Sequence, residues 1–417
     1  MVSLRNISFY GKLSIWLCIG SFLIFNSCVS TPHEKLITLE VPTSGINNSE
    51  PYLHHSETGD LYLSWVENDE TNKSALRFSK ITNNGWSVPN LIAKGDMWFV
   101  NWADFPSIAT FGSSNITAHY LEKSADDTYA YDVKITQSID GGESWQKSFK
   151  PHNDNTNTEH GFVSKLAVDD DTYMALWLDG RQYALADNDS TISKRMTLRG
   201  ALINSKSTLL EEYLIDSSVC DCCQTDMAMT KEGPIVVYRN RTDTEIRDIY
   251  YAKKNNDLWT EPKPIFNDNW NIAGCPVNGP AISAKDNLVA VSWFTMANGI
   301  PTVNIAFSNN SGNTFNQPIE IIRSSTMGRL DVVLLDNGNA IVSSMNNNDG
   351  TSEILLHHIT QQGQVSDPLI VSETTNTRSS GFPRMALHDN KIYMAWTSKD
   401  DRLNVHSAEI SLINFIK

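Results

Sequence analysis

Short apolar runs recur along this chain with a spacing of about 51 to 61 residues. Polar turns containing Gly, Asp or Asn separate the runs, and apolar and polar residues alternate within them, as in half-buried strands. A repeat of about 50 residues indicates stacked supersecondary units. The clearest marker is an aromatic at the end of one run in each unit, with Ser344 standing at the equivalent position of one unit: Trp65, Tyr120, Trp177, Tyr238, Trp293 and Trp396.

Four predicted strands per unit, repeated radially, indicate an all-β fold, a β-propeller. We count seven four-stranded blades, with a six-bladed arrangement as the alternative. The last unit has three clear strands, and residues 35–42 are expected to supply its missing outer strand. Residues 35–417 then form one propeller domain. The units begin near these residues: Glu50, Asp104, His160, Cys223, Asn278, Arg329 and Arg384.

The N-terminus predicts export from the cytoplasm. Arg5 and Lys12 precede an apolar stretch over residues 13–25, which is too short to span a membrane and is typical of a signal peptide. Cys28 follows a small residue and is the predicted lipidation site, so that residues 1–28 are signal and anchor. We expect a bacterial cell-envelope protein, an outer-membrane or surface lipoprotein held by its lipid, or otherwise a periplasmic or secreted one. A net charge of −15 argues against a nucleic-acid partner.

Charged residues concentrate at one predicted rim of the propeller. Because propeller strands alternate in direction, the start of each first strand and the end of each second strand share a face. Clustered arginines there suit a carboxylate or sulfate ligand, since the guanidinium fork binds such groups bidentately. The residues predicted for this rim are Asp104, His160, Asp179, Arg181, Arg241, Arg247, Arg329 and Arg384.

Four cysteines fall at the predicted starts of two neighbouring blades. Cys220, Cys222 and Cys223 precede the fourth blade, and Cys275 precedes the fifth. Outside the cytoplasm a disulfide cross-link between the two loops is expected. A zinc or copper site with thiolate ligands is the alternative. Apart from a metal at this cluster, no cofactor is expected.

Two turns resemble the Asp-box of the sialidase (neuraminidase) superfamily. Residues 138–145 read SIDGGESW, and residues 308–315 read SNNSGNTF with Asn in place of Asp. The resemblance implies an arginine clamp on a sugar carboxylate, a tyrosine nucleophile activated by a glutamate, and an aspartate acid/base. The residues that it implies for these roles are Arg241, Arg329 and Arg384 for the clamp, Asp104 for the acid/base, and Tyr238 or Tyr131 for the nucleophile.

Three functions follow as hypotheses. The first is a sialidase-like glycoside hydrolase acting on an acidic glycan, with Asp104, Glu159 and Asp179 as the available acids. The second is a polysaccharide lyase acting on a uronate, with His160 as the base and Tyr131 or Tyr238 as the acid. The third is a surface propeller without catalysis that binds glycans or handles a metal at its cysteines.

Overall fold

The structure is a computed structural model, and it describes residues 36–71, 73–255, 258–348 and 350–416. Within these ranges 29 strands form seven separate antiparallel sheets, which confirms the seven-bladed propeller. The predicted signal peptide and Cys28 lie outside the described residues. No helix in the described part of the chain has the length and apolarity needed to cross a membrane.

The first three blades follow the predicted order from the inner to the outer strand. Blade 1 contains β2 (Asn47–His55), β3 (Leu61–Asn68), β4 (Ser74–Thr82), β5 (Gly85–Trp86) and β6 (Asn90–Gly95). Blade 2 contains β7 (Ile108–Phe111), β8 (Asn115–Lys123) and β9 (Tyr131–Ser138). Its outer edge carries a single bridge between Ile135 and Phe149 in place of a fourth strand. Blade 3 contains β10 (His160–Ala167), β11 (Thr172–Asp179), β12 (Met196–Asn204) and β13 (Leu209–Val219), with the short helix α1 (Arg181–Leu185) after β11.

Blades 4 to 6 repeat the pattern. Blade 4 contains β14 (Asp226–Thr230), β15 (Gly233–Arg239), β16 (Ile249–Asn255), β17 (Leu258–Trp259) and β18 (Lys263–Pro264). Blade 5 contains β19 (Ala281–Lys285), β20 (Leu288–Thr295), β21 (Thr302–Ser308) and β22 (Ile319–Arg323), with a 3₁₀ turn at Ala297–Gly299. Blade 6 contains β23 (Thr326–Leu334), β24 (Ala340–Asn348), β25 (Thr351–Ile359) and β26 (Leu369–Thr375).

The chain closes the ring in blade 7 by pairing its two ends. Blade 7 contains β27 (Arg384–His388), β28 (Lys391–Lys399), β29 (Leu403–Ser411) and, as its outer strand, β1 (Leu36–Leu39); a 3₁₀ turn at Arg378–Ser380 precedes it and helix α2 (Leu412–Phe415) follows. Leu36 pairs with Ile410 and Leu39 with Ser407 in antiparallel register. The N-terminal strand therefore supplies the missing outer strand, as the sequence predicted.

The core is divided among the junctions between blades. Seven buried apolar clusters occur in the described residues, one between each pair of neighbouring blades. The aromatic that marks each repeat lies in the second strand, and Trp65, Trp177 and Trp293 are almost wholly buried. A domain of this size is larger than one hydrophobic core usually supports. The propeller avoids the limit because each junction between blades has a small core of its own.

Two of these tryptophans, Trp65 and Trp177, are followed two residues later by a carboxylate that accepts their indole N–H. The indole N–H of Trp65 donates to Glu67 at 2.9 Å, and that of Trp177 donates to Asp179 at 2.8 Å. A buried indole N–H requires an acceptor. The acids at these two second-strand ends therefore serve the packing of the marker aromatics.

The first strands of blades 1, 3 and 6 share a bulge where they enter the sheet. The register shifts there, and Glu50, Phe162 and Arg329 each take a left-handed φ between 49° and 57°. Non-glycine residues adopt this conformation at a cost of about 1–3 kcal/mol, and it concentrates at functional sites. The bulges therefore lie at the rim where the sequence predicted the functional residues.

Candidate functional site

A pocket of about 410 Å³ opens between the loops that lead into the first strands. We call it the rim pocket. Side chains from five blade junctions meet in it, so the ring closure brings together residues far apart in sequence. Its lining includes Phe99, Asn101, Trp102, Tyr129, Tyr131, Glu159, Phe162, Asp221, Cys222, Cys275, Val277 and Arg378.

A tyrosine–glutamate pair forms the polar wall of the rim pocket. The Tyr131 hydroxyl donates to Oε1 of Glu159 at 2.6 Å. The pair is held on both sides: the backbone N–H of Tyr131 donates to the carbonyl of Thr158 at 3.2 Å, and the ring of Phe99 stacks on Tyr131 at 4.1 Å. A short hydrogen bond between a phenol and a carboxylate is the geometry in which the carboxylate can take the phenolic proton.

Asp104 lies beside this pair and is buried. Its Oδ1 accepts the backbone N–H of Phe162 at 2.7 Å, which ties blade 2 to blade 3. Asp226 and Asp331 tie later blades in the same way, so this bond is part of the repeat. The other oxygen, Oδ2, is buried without a hydrogen-bond partner in the described residues. One oxygen of Asp104 therefore anchors the carboxyl group, while the other faces the neighbourhood of Tyr131.

Gly161 makes the approach of Asp104 and Tyr131 sterically possible. A Cβ atom at Gly161 would lie 2.0 Å from Oδ2 of Asp104 and 3.0 Å from Cε2 of Tyr131. Any larger residue would displace one of them. The glycine therefore permits the three groups Asp104, Tyr131 and Glu159 to share one site.

Burial sets the protonation of the three groups. It raises the pKa of Glu159 to about 7, against the lowering effect of the Tyr131 hydrogen bond and with a further rise from Asp221. Burial raises the pKa of Asp104 well above its usual range, and the charge of Glu159 adds to the rise. Burial and the two carboxylates also raise the pKa of Tyr131. Near neutral pH Glu159 therefore exchanges its proton readily, and the raised pKa of Asp104 favours the protonated form of that group.

His160 does not line the rim pocket. It is fully buried behind Glu159, and its ring stacks on that of His152 with centroids 3.8 Å apart. Its Nδ1 lies 3.1 Å from the carbonyl of Thr158, and its Nε2 lies 3.2 Å from Asp154. Asp154 joins both histidines, which places His160 in a buried polar network and removes it from substrate.

Two further predicted catalytic residues also lie away from the pocket. Asp179 is buried and accepts bonds from the Arg181 side chain at 2.6 and 2.7 Å in addition to the Trp177 indole. Tyr238 is fully buried, and its hydroxyl donates to Asp216 at 2.7 Å. Neither lines the rim pocket. Of the two tyrosines that the resemblance offered, Tyr131 is the one at the pocket.

The arginines of the expected clamp have internal partners. Arg329 donates to the carbonyls of Thr377 and Gly381 and lies over the ring of Trp102 at 4.7 Å. Arg241 bonds to Asp221 at 3.0 Å and Glu245 at 2.8 Å. Both guanidiniums support the pocket wall from behind.

Arg384 belongs to a second, deeper space. This axial cavity of about 190 Å³ is lined by the first strands, and Asp104 and Asp226 reach it as well. Arg384 pairs with Asp331 at 3.2 Å and lies over the rings of Tyr52 and Phe105. The guanidinium thus holds the inner strands of three blades together around the axis.

Arg378 is the pocket arginine that the sequence reasoning missed. It lies in the 3₁₀ turn before blade 7, is exposed, and lines the rim pocket. The described residues place no carboxylate within salt-bridge distance of it. Its position in a blade-entry loop, six residues before Arg384, is the feature of the sequence that could have identified it. Asp221, His152 and Asp154 were also missed, since nothing in their local sequence separates them from ordinary loop residues.

The four cysteines meet as the repeat predicted, but the expected disulfide is not formed. All four are free thiols. Sγ of Cys220 lies 3.6 Å from that of Cys223 and 3.9 Å from that of Cys222. Arg247 donates to Cys220 Sγ at 3.2 Å and pairs with Glu245 at 2.7 Å, so this predicted substrate-binding arginine serves the thiols.

The two turns that resemble the Asp-box lie at the ends of third strands. Oδ1 of Asp140 accepts the Ser138 hydroxyl at 2.6 Å and the Ser144 N–H at 3.0 Å, and Asn310 makes the matching bonds in its turn. Asp140 thus closes its own turn, beyond the end of β9 opposite to the end that carries Tyr131.

No protein-family model matches the chain, and no curated protein matches it. Solved structures do match. The GH93 α-L-arabinofuranosidase of Fusarium graminearum in complex with arabinobiose aligns with 11% identity, 92% of this chain, 100% of that chain and a TM-score of 0.51. A protein of unknown function from Dyadobacter fermentans aligns with 10% identity, 91% of this chain, 99% of that chain and a TM-score of 0.50. The NanB sialidase from Streptococcus pneumoniae aligns with 12% identity, 92% of this chain, 71% of that chain and a TM-score of 0.45.

At these identities the likeness is one of fold. The chain is a seven-bladed β-propeller, and a glycoside hydrolase of Fusarium graminearum has a similar fold. Fold alone does not assign an activity, so the function has to be argued from the rim pocket.

Proposed function

We propose that the protein is a glycoside hydrolase that cleaves a terminal acidic sugar in the rim pocket. The observation that carries the proposal is the 2.6 Å hydrogen bond between Tyr131 and Glu159 at the wall of that pocket, with Asp104 beside it in the adjoining axial cavity. Tyrosine nucleophiles are a known departure from the usual pair of carboxylates in glycosidases. The raised pKa of Asp104 suits a group that donates a proton.

The proposed reaction proceeds by two displacements. Glu159 takes the phenolic proton as the Tyr131 oxygen attacks the anomeric carbon, while Asp104 donates its proton to the leaving oxygen. The bond to the aglycone breaks and a glycosyl–tyrosine bond forms. In the second half Asp104 takes a proton from water, water attacks the anomeric carbon, and Tyr131 leaves with the proton returned by Glu159. Two inversions give a product with the configuration of the substrate.

Substrate binding is assigned to aromatic faces and one cation. Trp102 and Tyr129 offer ring surfaces at the pocket wall, and Arg378 offers a guanidinium without a carboxylate partner in the described residues. A guanidinium binds a carboxylate with two parallel hydrogen bonds. This composition suits an acidic sugar, and sialic acid and hexuronic acids are the classes to test first.

The test is hydrolysis of fluorogenic sialosides, glucuronides and arabinofuranosides by the purified protein and three variants. Tyr131→Phe and Glu159→Gln each remove one partner of the pair and should lower kcat by about 10²- to 10⁴-fold. Tyr129→Phe is the matched control, because it removes a hydroxyl from the same pocket without touching Glu159, and it should keep wild-type kcat.

Two outcomes would refute the proposal. One is the absence of sugar release from every substrate class; the other is release that continues at the wild-type rate in both variants. Growth of the ultraviolet absorbance of an unsaturated uronate, with no reducing sugar from hydrolysis, would instead establish a lyase. A propeller that only binds glycans would show affinity for them without either product.

If the N-terminal prediction holds, this pocket acts at the cell envelope. We propose that residues 1–28 export the chain and that Cys28 carries a lipid. Cell-surface or periplasmic glycans would then be the substrates within reach.

A further inference from the structure

We propose that Cys220, Cys222 and Cys223, with Cys275 as fourth ligand, form a tetrahedral thiolate site for a soft metal cation, zinc or copper(I). Their sulfur atoms come from the loops that lead into blades 4 and 5. The sulfurs of the first three residues lie within 4.8 Å of one another. Metal binding here does not require the proposed hydrolysis, although Cys222 and Cys275 also line the rim pocket.

The distances between sulfurs fit a metal ligand set. Four sulfurs at about 2.3 Å from a tetrahedral zinc lie about 3.8 Å from one another. The two measured separations from Cys220 are 3.6 and 3.9 Å. A disulfide needs about 2.05 Å. The cluster is therefore spaced for an ion between the sulfurs, without a bond between any two of them.

The loop that carries three of the thiols is fixed at both ends. The N–H of Cys220 donates to the carbonyl of Arg239 at 2.9 Å. The Gln224 amide donates to the carbonyl of Ala103 at 2.6 Å and accepts the N–H of Gly279 at 2.9 Å. The last of these bonds joins the blade 4 loop to the loop that contains Cys275. Such anchoring holds ligands in place before a metal binds.

Two buried arginines stand beside the thiols, and positive charge there complements thiolates, which are the form that binds metals. Arg247 is buried and donates to Sγ of Cys220 at 3.2 Å, as an outer-shell partner does for a metal ligand. The buried guanidinium of Arg239 lies nearby and bonds to backbone carbonyls.

The fourth ligand and the entry path both face the rim pocket. Cys222 and Cys275 line the pocket, and Cys275 is exposed. The thiol of Cys275 interacts with that of Cys222. An ion can thus enter from solvent and be held by the two deeper thiols. Ligands of sulfur alone select zinc or copper(I) over the oxygen-seeking magnesium and calcium ions.

The experiment measures metal binding by the full-length protein, purified with its thiols reduced and without oxygen. Elemental analysis by mass spectrometry should find one zinc or one copper ion per chain. The metal-free protein should take up one equivalent of Zn²⁺, and of Cu⁺ in a parallel titration, in competition with a chromophoric chelator. X-ray absorption of the loaded protein should show sulfur neighbours at about 2.3 Å.

Variants separate a ligand set from packing. Cys222→Ser and Cys275→Ser alter the two thiols that reach the pocket, so they test ligation with the least risk to folding; each should lose stoichiometric uptake. Arg247→Met should weaken binding about 10- to 100-fold, which is the usual effect of losing an outer-shell partner. Arg241→Met is the matched control, since Arg241 bonds to Asp221 and Glu245. It should bind metal with wild-type affinity.

Three results would overturn the proposal. The reduced wild-type chain binds neither Zn²⁺ nor Cu⁺; both cysteine variants keep wild-type affinity; or the intact mass of the protein taken from the cell envelope, with thiols trapped, shows the loss of four hydrogens that marks two disulfides. The wild-type spectrum and the Arg247→Met affinity decide the matter even if a cysteine variant does not fold.

Discussion

A single methyl group at Gly161 should separate the three groups of the proposed site. In Gly161→Ala the new Cβ would lie 2.0 Å from Oδ2 of Asp104. Cβ atoms essentially never approach a non-bonded atom closer than 3.0 Å, so the carboxyl group has to move by at least about 1 Å. Gly161 does not have a positive φ, so the backbone accepts alanine and the effect comes from this contact.

The magnitude follows from what Asp104 would lose. Overpacking a tight site costs about 1–3 kcal/mol. Weakening the bond from the N–H of Phe162 to a buried carboxyl adds about 1–3 kcal/mol. The smaller freedom of the unfolded alanine chain returns about 0.4–1 kcal/mol. We expect a net loss of about 2–4 kcal/mol in the free energy of unfolding and, because a displacement of about 1 Å misaligns the acid, a fall in kcat of about 100-fold.

Denaturant unfolding and hydrolysis kinetics test both numbers on the same samples. Gly274→Ala is the control: its Cβ would meet only Ile272, at 3.7 Å, and its φ is not positive. It should be neutral or slightly stabilising. Wild-type stability and kcat in Gly161→Ala would refute the argument that the close approach of Asp104 and Tyr131 depends on this glycine. A loss of stability with unchanged kcat would leave Asp104 as an inter-blade tie alone.

Five further outcomes are expected. The pH profile of kcat/KM should fall below about pH 7, because Glu159 must be ionised to accept a proton and its pKa is about 7; in Glu159→Gln no such limb should remain. The same raised pKa means that the folded chain retains a proton that the unfolded chain releases above about pH 4.5. The contribution of Glu159 to stability should therefore fall as the pH rises from about 4.5 to 7, and the urea midpoint of the wild type minus that of Glu159→Gln should fall over the same range. Arg378→Ala should raise KM for an acidic sugar and leave KM for a neutral analogue unchanged; equal effects on both would argue against carboxylate binding. Asp140→Ala should lower the melting temperature with unchanged kcat, since Asp140 bonds within its own turn, and Cys28→Ser should abolish labelling of the protein by radioactive palmitate.

The sequence by itself determined the architecture. The spacing of Trp65, Trp177 and Trp293 defined the repeat, and alternation of apolar residues between the markers defined the strands. Even the closing strand β1 was predictable, because a unit with three strands leaves one edge unpaired. These features are local and periodic, so the same pattern can be recognised in each repeat of the sequence.

The site depended on the tertiary structure, since its parts come from different blades. Asp104 precedes blade 2, Tyr131 begins the third strand of that blade, and Glu159 precedes blade 3. The packing of the two blades and the missing side chain of Gly161 bring them together. Sequence reasoning gave Asp104 and Tyr131 their roles through a resemblance, and it listed Glu159 among several acids. It could not tell an acid that packs from an acid that reacts.

Arginine was the least predictable residue type for the same physical reason. Arg329, Arg384 and Arg241 share the predicted rim, yet each is bound to carbonyls, carboxylates or aromatic rings inside the protein. Arg378, which the pattern did not mark, is the guanidinium at the pocket. A charged side chain is long, and its partner is chosen by the distance to neighbours in the folded ring. The period of the sequence therefore fixes the backbone position of an arginine, and the packing of adjacent blades decides which groups its guanidinium contacts.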